Sequence, residues 1–273
     1  MAAMEKHQAS HGRSRAEAWA KDGYFFVRGM VDAGAARAIE EEVTAVIRAD
    51  PASNHTNQTA YFAGADYFIL PEPSSTNTLA PEDAIGKVFN CHVMGAARRL
   101  AEQTDIVEIV AEILGPNIDC FQSQFIFKHP GVIGQPWHQD SYYFRFDRQP
   151  QVGVWVALSP ATLENGCLWV LPGSHRPGAI FNHVPDRRQD AMRGYLEIVD
   201  RDTTGESPAL METGDVLFFH SYLMHRSTDN VADFRRSAMV FHFGRAGTQP
   251  LTSEAAAVLG NVNRWAPVRR GEA

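Results

Sequence analysis

The sequence contains few cysteines, no cluster of basic residues and no long apolar segment. Its three cysteines, Cys91, Cys120 and Cys167, are widely spaced and odd in number, which argues against a disulfide framework and a paired-cysteine metal site; we expect them to be buried. The net charge is −7 with no run of Lys or Arg, so nucleic acid is not an expected partner. No apolar run reaches membrane-spanning length, so we expect a soluble, cytoplasmic protein with no membrane partner.

The length of 273 residues and the hydrophobic content of 44% are sufficient for a sizeable core. We interpret residues 1–273 as a single domain. It would consist of an N-terminal helical part over about 1–115, a β core over about 116–245 and a C-terminal tail over 246–273. The sequence leaves both a monomer and a homodimer open.

Helical signals dominate the N-terminal part. Ser14 followed by Glu17 is typical of a capping box that begins a short helix. Tyr24 to Val27 is a compact apolar run typical of a strand, and apolar residues then recur at helical spacing from Ala36 to Ile47. Ala96 to Leu114 predicts either one helix or two shorter ones.

Residues 51–81 are rich in Asn, Thr, Ser and Pro and show no sustained hydrophobic period. We interpret them as a long loop, and loops of this length in compact domains are often lids or binding segments. The alternative is a poorly ordered connector. Aromatic residues argue against that alternative, namely Tyr61, Phe62, Tyr67 and Phe68.

After Pro116 the sequence changes to short apolar or alternating runs separated by turn residues, the pattern of a β-sandwich or barrel. The candidate strands are 120–127, 152–158, 168–171, 195–199, 216–219 and 238–243. We therefore predict a mainly β protein with flanking α-helices. Its core would be a double-stranded β-helix of the jelly-roll or cupin-like type, with the N-terminal helices packed on it.

A histidine and an aspartate two residues apart, His138 and Asp140, are the most informative chemical signal. Side chains at i and i+2 of an extended chain leave the same face, so both can bind one metal ion. A third histidine would complete a 2-His-1-carboxylate set with open coordination positions. We choose His225, which follows a strand and precedes a hairpin, so that its side chain can approach the mouth of the barrel. We interpret His220 and His242 as packing histidines.

A single arginine, Arg236, lies in an otherwise apolar strand. Ala238, Val240 and His242 continue its parity, so burying its charge requires an anion, and its planar guanidinium suits a carboxylate. A small dicarboxylate that chelates the metal at one end and pairs with Arg236 at the other would meet this requirement. Arg235 should point to the opposite face and be solvated.

Four segments carry a resemblance to a known family: WHQDSYYF at 137–144, VWVALSPATLENGCLWVLPGSH at 154–175, GDVLFFHSYLMHRS at 214–227 and FRRSAMVFHF at 234–243. Together, over about Tyr24 to Gly244, they resemble the phytanoyl-CoA dioxygenase family of Fe(II)- and 2-oxoglutarate-dependent oxygenases. The resemblance implies metal ligation and catalysis by His138, Asp140 and His225. It also implies that Arg236, eleven residues after His225, binds 2-oxoglutarate.

The resemblance further implies O2-dependent hydroxylation of an aliphatic carbon, with 2-oxoglutarate converted to succinate and CO2. It assigns Trp155, Ser227 and Lys87 to the cosubstrate, although a core aromatic, a turn residue and a surface charge are the respective alternatives. Gln124 is a further polar candidate for the same site. Asp140 argues for hydroxylation, desaturation or ring formation, since related halogenases replace this carboxylate with a small residue.

The substrate is not evident from the sequence. Candidate pocket residues, each of which is also a candidate core residue, are Tyr142, Tyr143, Phe144, Phe127, Tyr61 and Phe68. No basic cluster for the phosphates of coenzyme A is present, so we expect a modest small molecule as substrate. A cupin-like or zinc hydrolase or isomerase, and a non-catalytic binding protein of the same fold, are the alternative functions; Arg236 argues against the first and the intact ligand set against the second.

Overall fold

The computed structural model describes residues 13–50, 60–63, 66–72, 80–93, 95–188, 195–251 and 263–271. Its α-helices are α1 Arg15–Asp22, α2 Ala33–Ala49, α3 Gly95–Ala101, α4 Thr104–Leu114 and α5 Asp140–Tyr143. Short 3₁₀ helices lie at Pro81–Ala84 and Cys91–Val93.

The predicted capping box begins α1. The Ser14 hydroxyl accepts a hydrogen bond from the backbone N–H of Glu17 at 3.3 Å, and the Glu17 carboxylate accepts one from the backbone N–H of Ser14 at 2.9 Å. Gly23 ends the helix in the left-handed conformation, with φ of 82°. The helical segment before Gly115 is divided between α3 and α4, the second of the two alternatives left by the sequence.

The strands are β1 Tyr24–Val27, β2 Tyr61–Ala63, β3 Tyr67–Pro71, β4 Ile85–Phe89, β5 Ile118–Lys128, β6 Val152–Ala157, β7 Leu168–Val170, β8 Val184–Pro185, β9 Leu196–Glu197, β10 Ser207–Ala209, β11 Val216–His220, β12 His225–Ser227, β13 Arg236–Arg245 and β14 Ala266–Arg269. In the described chain they form a nine-stranded sheet of order β1-β11-β6-β13-β5-β4-β3-β2, with β14 also beside β5. A smaller sheet has the order β10-β7-β12, and β8 pairs with β9.

The large sheet separates two hydrophobic cores. Along β6, Val154 and Val156 pack on the side of helices α1 to α4, whereas Trp155 and Ala157 pack towards the small sheet. β13 alternates in the same way, with Met239 on the helix side. The predicted architecture, helices packed on a jelly-roll core, is therefore confirmed, and the space between the two sheets remains for the polar residues of a site.

The prediction of a long loop over residues 51–81 is wrong where the chain is described. β2 and β3 form a hairpin at the edge of the large sheet, and β3 pairs with β4. Tyr67 and Ile69 alternate onto the buried face, so their apolar side chains favour a strand over a loop. Residues 51–59, 64–65 and 73–79 lie outside the described residues, as does the side chain of Tyr61.

Both ends of the chain also contribute strands. β1, from the part predicted as mainly helical, pairs with β11, and β2 to β4 complete one side of the large sheet. In the C-terminal tail, β14 pairs with β5, and Arg270 donates to the carboxylate of Asp119 at 2.5 Å. β1 and β14 therefore belong to the large sheet instead of lying apart from it.

The three cysteines are all buried and unpaired, as the sequence predicts. Among the described residues, no helix combines the length and apolar character that crossing a membrane requires.

Candidate active site

Three predicted side chains, His138, Asp140 and His225, meet between the two sheets. One potential ligand atom from each lies within 4.8 Å of the others. The Nε2 atoms of His138 and His225 are 3.7 and 3.6 Å from Oδ1 of Asp140, respectively. All three residues are buried. Two imidazoles and one carboxylate that face a common position match the donor set of a non-haem Fe(II) site, which leaves further coordination positions open.

The backbone holds the two histidines together. The N–H of His138 donates to the carbonyl of His225, and the N–H of His225 donates to the carbonyl of His138, each at 3.0 Å. His138 forms an isolated bridge with His225, and Asp140 begins the short helix α5, so the extended stretch expected here reaches only as far as Gln139. Gln139 between them is extended, with φ of −122° and ψ of 132°, and this local geometry keeps the two side chains on one face.

The orientation of each histidine leaves Nε2 as the free ligand atom. Nδ1 of His138 lies 2.8 Å from the carbonyl of Pro136, and Nδ1 of His225 lies 3.0 Å from the carbonyl of Leu223. A carbonyl only accepts, so each Nδ1 carries the proton and donates. Burial, followed by the neighbouring His225, holds the pKa of His138 well below its ordinary value, which favours the neutral form that binds metal.

His242, interpreted from sequence as a packing histidine, contacts the site directly. Its Nε2 lies 3.0 Å from Oδ2 of Asp140. Burial alone would raise the pKa of Asp140, but the surrounding imidazoles of His225, His242 and His138 outweigh it and lower that pKa. Asp140 is therefore an ionised acceptor, with Oδ2 held by His242 and Oδ1 beside the two candidate ligand histidines. His220, in contrast, packs against Trp19 and His175 away from the site.

Arg236 lies at the start of β13, on the cavity side, as its parity predicts. It is 2% exposed, and its Nη2 donates to the carbonyl of Gly166 at 2.9 Å. Its Nε and Nη1 have no hydrogen-bond partner among the described residues, and neither has the indole nitrogen of Trp155, whose ring lies 5.3 Å from the guanidinium. Burial lowers the pKa of Arg236 to about 10, so it remains charged at neutral pH. An acceptor is required beside these donors.

Arg235 points to the other face of the sheet, as predicted, but it is not simply solvated. Its guanidinium forms an ion pair with Glu40 and lies over the ring of Phe127 at 5.0 Å. Phe127 itself packs against Phe125 in the helix-side core, at 4.4 Å between ring centroids.

The remaining predicted cosubstrate residues surround the same cavity. Ser227, in β12, accepts hydrogen bonds at its Oγ from Lys128 Nζ and from the backbone N–H of Gln135, both at 3.0 Å. Lys87 donates to the side-chain oxygen of Gln135 at 3.3 Å. Gln124 faces inward from β5 and donates to Gln122 at 2.8 Å. Lys128 also lines the cavity, although no sequence motif indicates it; it continues the inward parity of Gln124 along β5.

The cavity between the sheets has a volume of about 300 Å³. It is lined by the triad of His138, Asp140 and His225, by Arg236 and by the cosubstrate candidates. Of the aromatic pocket candidates, Tyr143, Phe144 and Phe127 line it. Tyr142 packs against His183 at 4.2 Å between ring centroids, and Phe68 packs against Phe89 at 5.7 Å. One cavity thus combines a metal-type donor set with an uncompensated buried cation, an arrangement that fits a metal-chelating carboxylate ligand.

Comparison with known proteins agrees with this geometry. A family model described as phytanoyl-CoA dioxygenase (PhyH) matches residues 19–238. Phytanoyl-CoA dioxygenase domain-containing protein 1 of Danio rerio is 26% identical over 253 residues, covering 81% of this chain and 86% of the relative. The peroxisomal phytanoyl-CoA dioxygenase of Mus musculus is 35% identical over 153 residues, covering 53% of this chain and 45% of the relative.

Solved structures share the fold. The non-heme monooxygenase ThoJ, without ligand, superposes with a TM-score of 0.68 at 21% identity, covering 95% of this chain and 85% of that protein. The epimerase SnoN, solved with Fe3+, alpha ketoglutarate and nogalamycin RO, has a TM-score of 0.60 at 19% identity, covering 88% and 87% of the two chains. The family model spans most of the chain, so the resemblance seen in the sequence is confirmed and the coarse reaction class is that of an oxygenase. The chain belongs to the phytanoyl-CoA dioxygenase family.

Proposed function

We propose that this protein is an Fe(II)- and 2-oxoglutarate-dependent dioxygenase that hydroxylates an aliphatic carbon of a small molecule, with release of succinate and CO2. The observation that carries the proposal is the pairing, in one cavity, of the His138, Asp140 and His225 donor set with the unpaired buried donors of Arg236. The donor set fits a metal ion and the 2-oxo acid group chelated to it. The unpaired donors of Arg236 fit the distal carboxylate of the same cosubstrate.

Each residue has a defined task in this proposal. His138, Asp140 and His225 bind Fe(II), and Arg236 pairs with the cosubstrate. Further contacts to the cosubstrate come from Trp155, Ser227, Lys87 and Gln124, all of which line the cavity. When bound, the metal supplies O2 activation coupled to decarboxylation of 2-oxoglutarate.

The protein itself contributes geometry and exclusion of water. His242 holds one oxygen of Asp140, so that the other faces the two histidines. Tyr143 and Phe144 form apolar surface beside the metal position, which keeps bulk water from the reacting carbon of a bound substrate. Asp140 occupies a coordination position that a halide would otherwise need, which favours hydroxylation over halogenation.

An anaerobic titration tests the proposal. Apoprotein is mixed with Fe(II) and 2-oxoglutarate, and the visible charge-transfer band of the chelated cosubstrate is recorded for the wild type and for His225→Ala. We expect a band in the wild type and none in the variant. His220→Asn serves as the matched control, because His220 lies away from the site and its replacement should leave the band intact.

Failure of the proposal has two recognisable forms. Tight metal binding without a band in the wild type would favour a zinc or cupin-like enzyme. Absence of metal binding would favour a non-catalytic binding protein. If the band appears, oxygen-dependent formation of succinate and a product heavier by one oxygen atom establish hydroxylation; the solved relative SnoN is an epimerase, and an epimerised product would overturn the hydroxylase assignment alone.

A further inference from the structure

Two buried cations lie side by side in the cavity. Lys128, the last residue of β5, is directly opposite Arg236, the first residue of β13, in the antiparallel register. They are 4% and 2% exposed, respectively. Like charges directly opposite each other in a sheet are destabilising, and burial adds a desolvation penalty for each. The apoprotein therefore keeps an electrostatically unfavourable pair at this point.

Neither Lys128 nor Arg236 forms an ion pair with an acidic residue in the described chain. The carboxylate with the largest effect on Lys128 is that of Asp229, which is instead bound to the backbone N–H of Gly134 at 2.7 Å and lies 3.9 Å from Arg188. Burial, followed by the nearby guanidinium of Arg236, holds the pKa of Lys128 well below its ordinary value. The charges of this cluster are thus incomplete without an added anion.

Ser227 connects Lys128 to the cosubstrate position. Its hydroxyl oxygen already accepts two hydrogen bonds, from Lys128 and from the backbone of Gln135. A serine hydroxyl has two acceptor positions and one proton, so both acceptor positions are used and the proton is left to donate. Lys128, Ser227 and Arg236 line one cavity, and together they present only donors to it.

We propose that Lys128 is a second cationic contact for the distal carboxylate of 2-oxoglutarate, with Arg236 binding one side of that carboxylate and the Lys128 and Ser227 pair binding the other. The inference rests on the proposed function and assigns a residue that the sequence motifs did not indicate. Lys87, the lysine that they did indicate, is engaged by neutral groups, the amide of Gln135 and the ring of Tyr195 at 5.6 Å.

The proposal predicts that one substitution at Lys128 preserves or raises the stability of the metal-free protein but weakens binding of 2-oxoglutarate. Lys128→Met keeps the length of the apolar stem, which packs beside Gly166, but removes the buried charge. The metal-free protein should then be at least as stable as the wild type, since the repulsion with Arg236 is relieved. Binding of 2-oxoglutarate should weaken about 10- to 100-fold, the loss expected for a charged hydrogen bond. A purely structural lysine would instead lower the stability of the metal-free protein.

The experiment compares two ligands in the Fe(II) protein under anaerobic conditions. 2-Oxoglutarate and 2-oxopentanoate chelate through the same 2-oxo acid group, but the second lacks the distal carboxylate. Dissociation constants from the charge-transfer band are measured for the wild type, Lys128→Met and Lys128→Gln. Lys21→Met is the matched control, because Lys21 is exposed on α1 and does not line the cavity. Melting temperatures of the four metal-free proteins are recorded in parallel.

We expect the wild-type preference for 2-oxoglutarate over 2-oxopentanoate to shrink about 10- to 100-fold in both Lys128 variants and to be unchanged in Lys21→Met. An unchanged preference in the Lys128 variants, with binding intact, overturns the inference and leaves the proposed function standing. A wild type that binds neither ligand overturns both. Lower melting temperatures of both metal-free Lys128 variants with an unchanged preference would identify a structural lysine and also overturn the inference.

Discussion

At the residue scale, the hydrogen bond between His242 and Asp140 determines how the carboxylate meets the metal position. Asp140 has two oxygens, and His242 occupies Oδ2 while Oδ1 faces His138 and His225. Outer contacts of this kind fix the orientation of a ligand and commonly affect metal affinity by one to two orders of magnitude. We therefore expect His242 to act as a positioning residue for Asp140 instead of as a metal ligand.

Replacing His242 tests this role. His242→Phe keeps an aromatic ring beside Phe144 but removes the donor to Asp140, so we expect Fe(II) affinity to fall about 10- to 100-fold. His242→Gln retains an amide donor and should recover part of the loss. Both variants are titrated anaerobically with Fe(II) in the presence of 2-oxoglutarate. Wild-type affinity in the Phe variant, with the fold intact by circular dichroism, would show that the hydrogen bond is not needed.

Sequence patterns predicted some of these residues and not others, for a physical reason. The parity of β13 correctly predicts that Arg236 faces inward, because side chains of a strand alternate strictly between faces. Parity does not say which inward polar residues touch each other. The contact of His242 with Asp140 joins residues far apart in sequence, and the pairing of Lys128 with Arg236 depends on strand register. Neither is visible in a local pattern.

At the element scale, β12 approaches the chain before α5 very closely. The N–H of Ser227 donates to the carbonyl of Gln135 at 2.9 Å, and a Cβ placed on Gly134 would lie 1.9 Å from the carbonyl oxygen of Ser227. Only glycine permits this approach. The spacing places His225, on β12, beside His138, so a glycine outside the triad controls the separation of two candidate ligands.

We expect Gly134→Ala to move β12 away and to weaken binding of Fe(II) and 2-oxoglutarate. The free energy of unfolding should fall by about 1 to 3 kcal/mol, the usual effect of overpacking. Gly244→Ala is the control, because its added Cβ would lie at an ordinary 3.5 Å from the ring of Phe121. Urea unfolding and anaerobic titration measure the two effects. Equal behaviour of the two variants would show that the close approach at Gly134 is unimportant.

Long strands are easier to predict from the sequence than short ones, because a short strand shows no hydrophobic period and is defined by its pairing. Long alternating segments such as those of β5, β6 and β13 are evident in the sequence. β12 has three residues and is defined by its pairing with β7, so no local period marks it. The register between β5 and β13 also shifts between His242 and Phe243, where β5 has one extra residue. Side chains of β5 on the two sides of this shift therefore alternate out of step, and Cys120 and Phe125 both face the helix-side core.

At the scale of the whole molecule, the fold buries several histidines in the neutral form. Burial lowers the pKa of His92 to about 4 and that of His220 to about 3. Both values lie below the ordinary pKa of about 6.5, so the unfolded chain binds more protons between pH 6.5 and these values. Stability is therefore unaffected by these groups above pH 6.5 and falls as the pH is lowered through that window.

We expect the free energy of unfolding of the metal-free protein to decrease from pH 7 to pH 5, by roughly 2 kcal/mol for each histidine whose pKa is lowered to this extent. His220→Asn removes one titrating group but keeps an acceptor for the backbone N–H of Tyr222, which now donates to Nδ1 at 3.0 Å. The variant should show a shallower decrease at acidic pH and the same pH dependence as the wild type above pH 7. Urea unfolding of both proteins across this pH range measures the free energy of unfolding. If that free energy falls equally steeply in the wild type and in His220→Asn between pH 5 and 6, the neutral state assigned to His220 is wrong.

The pairing of His138 with His225 has a consequence for folding. These two residues lie 87 positions apart in sequence, and the folded chain brings the segment before α5 next to β12 of the small sheet. The donor set is therefore absent from the unfolded chain and from any intermediate that lacks the small sheet. Metal affinity then reports completion of the barrel, and the free energy of metal binding adds to that of folding. A metal ion held by both histidines would therefore stabilise the folded chain over any form in which the two segments lie apart.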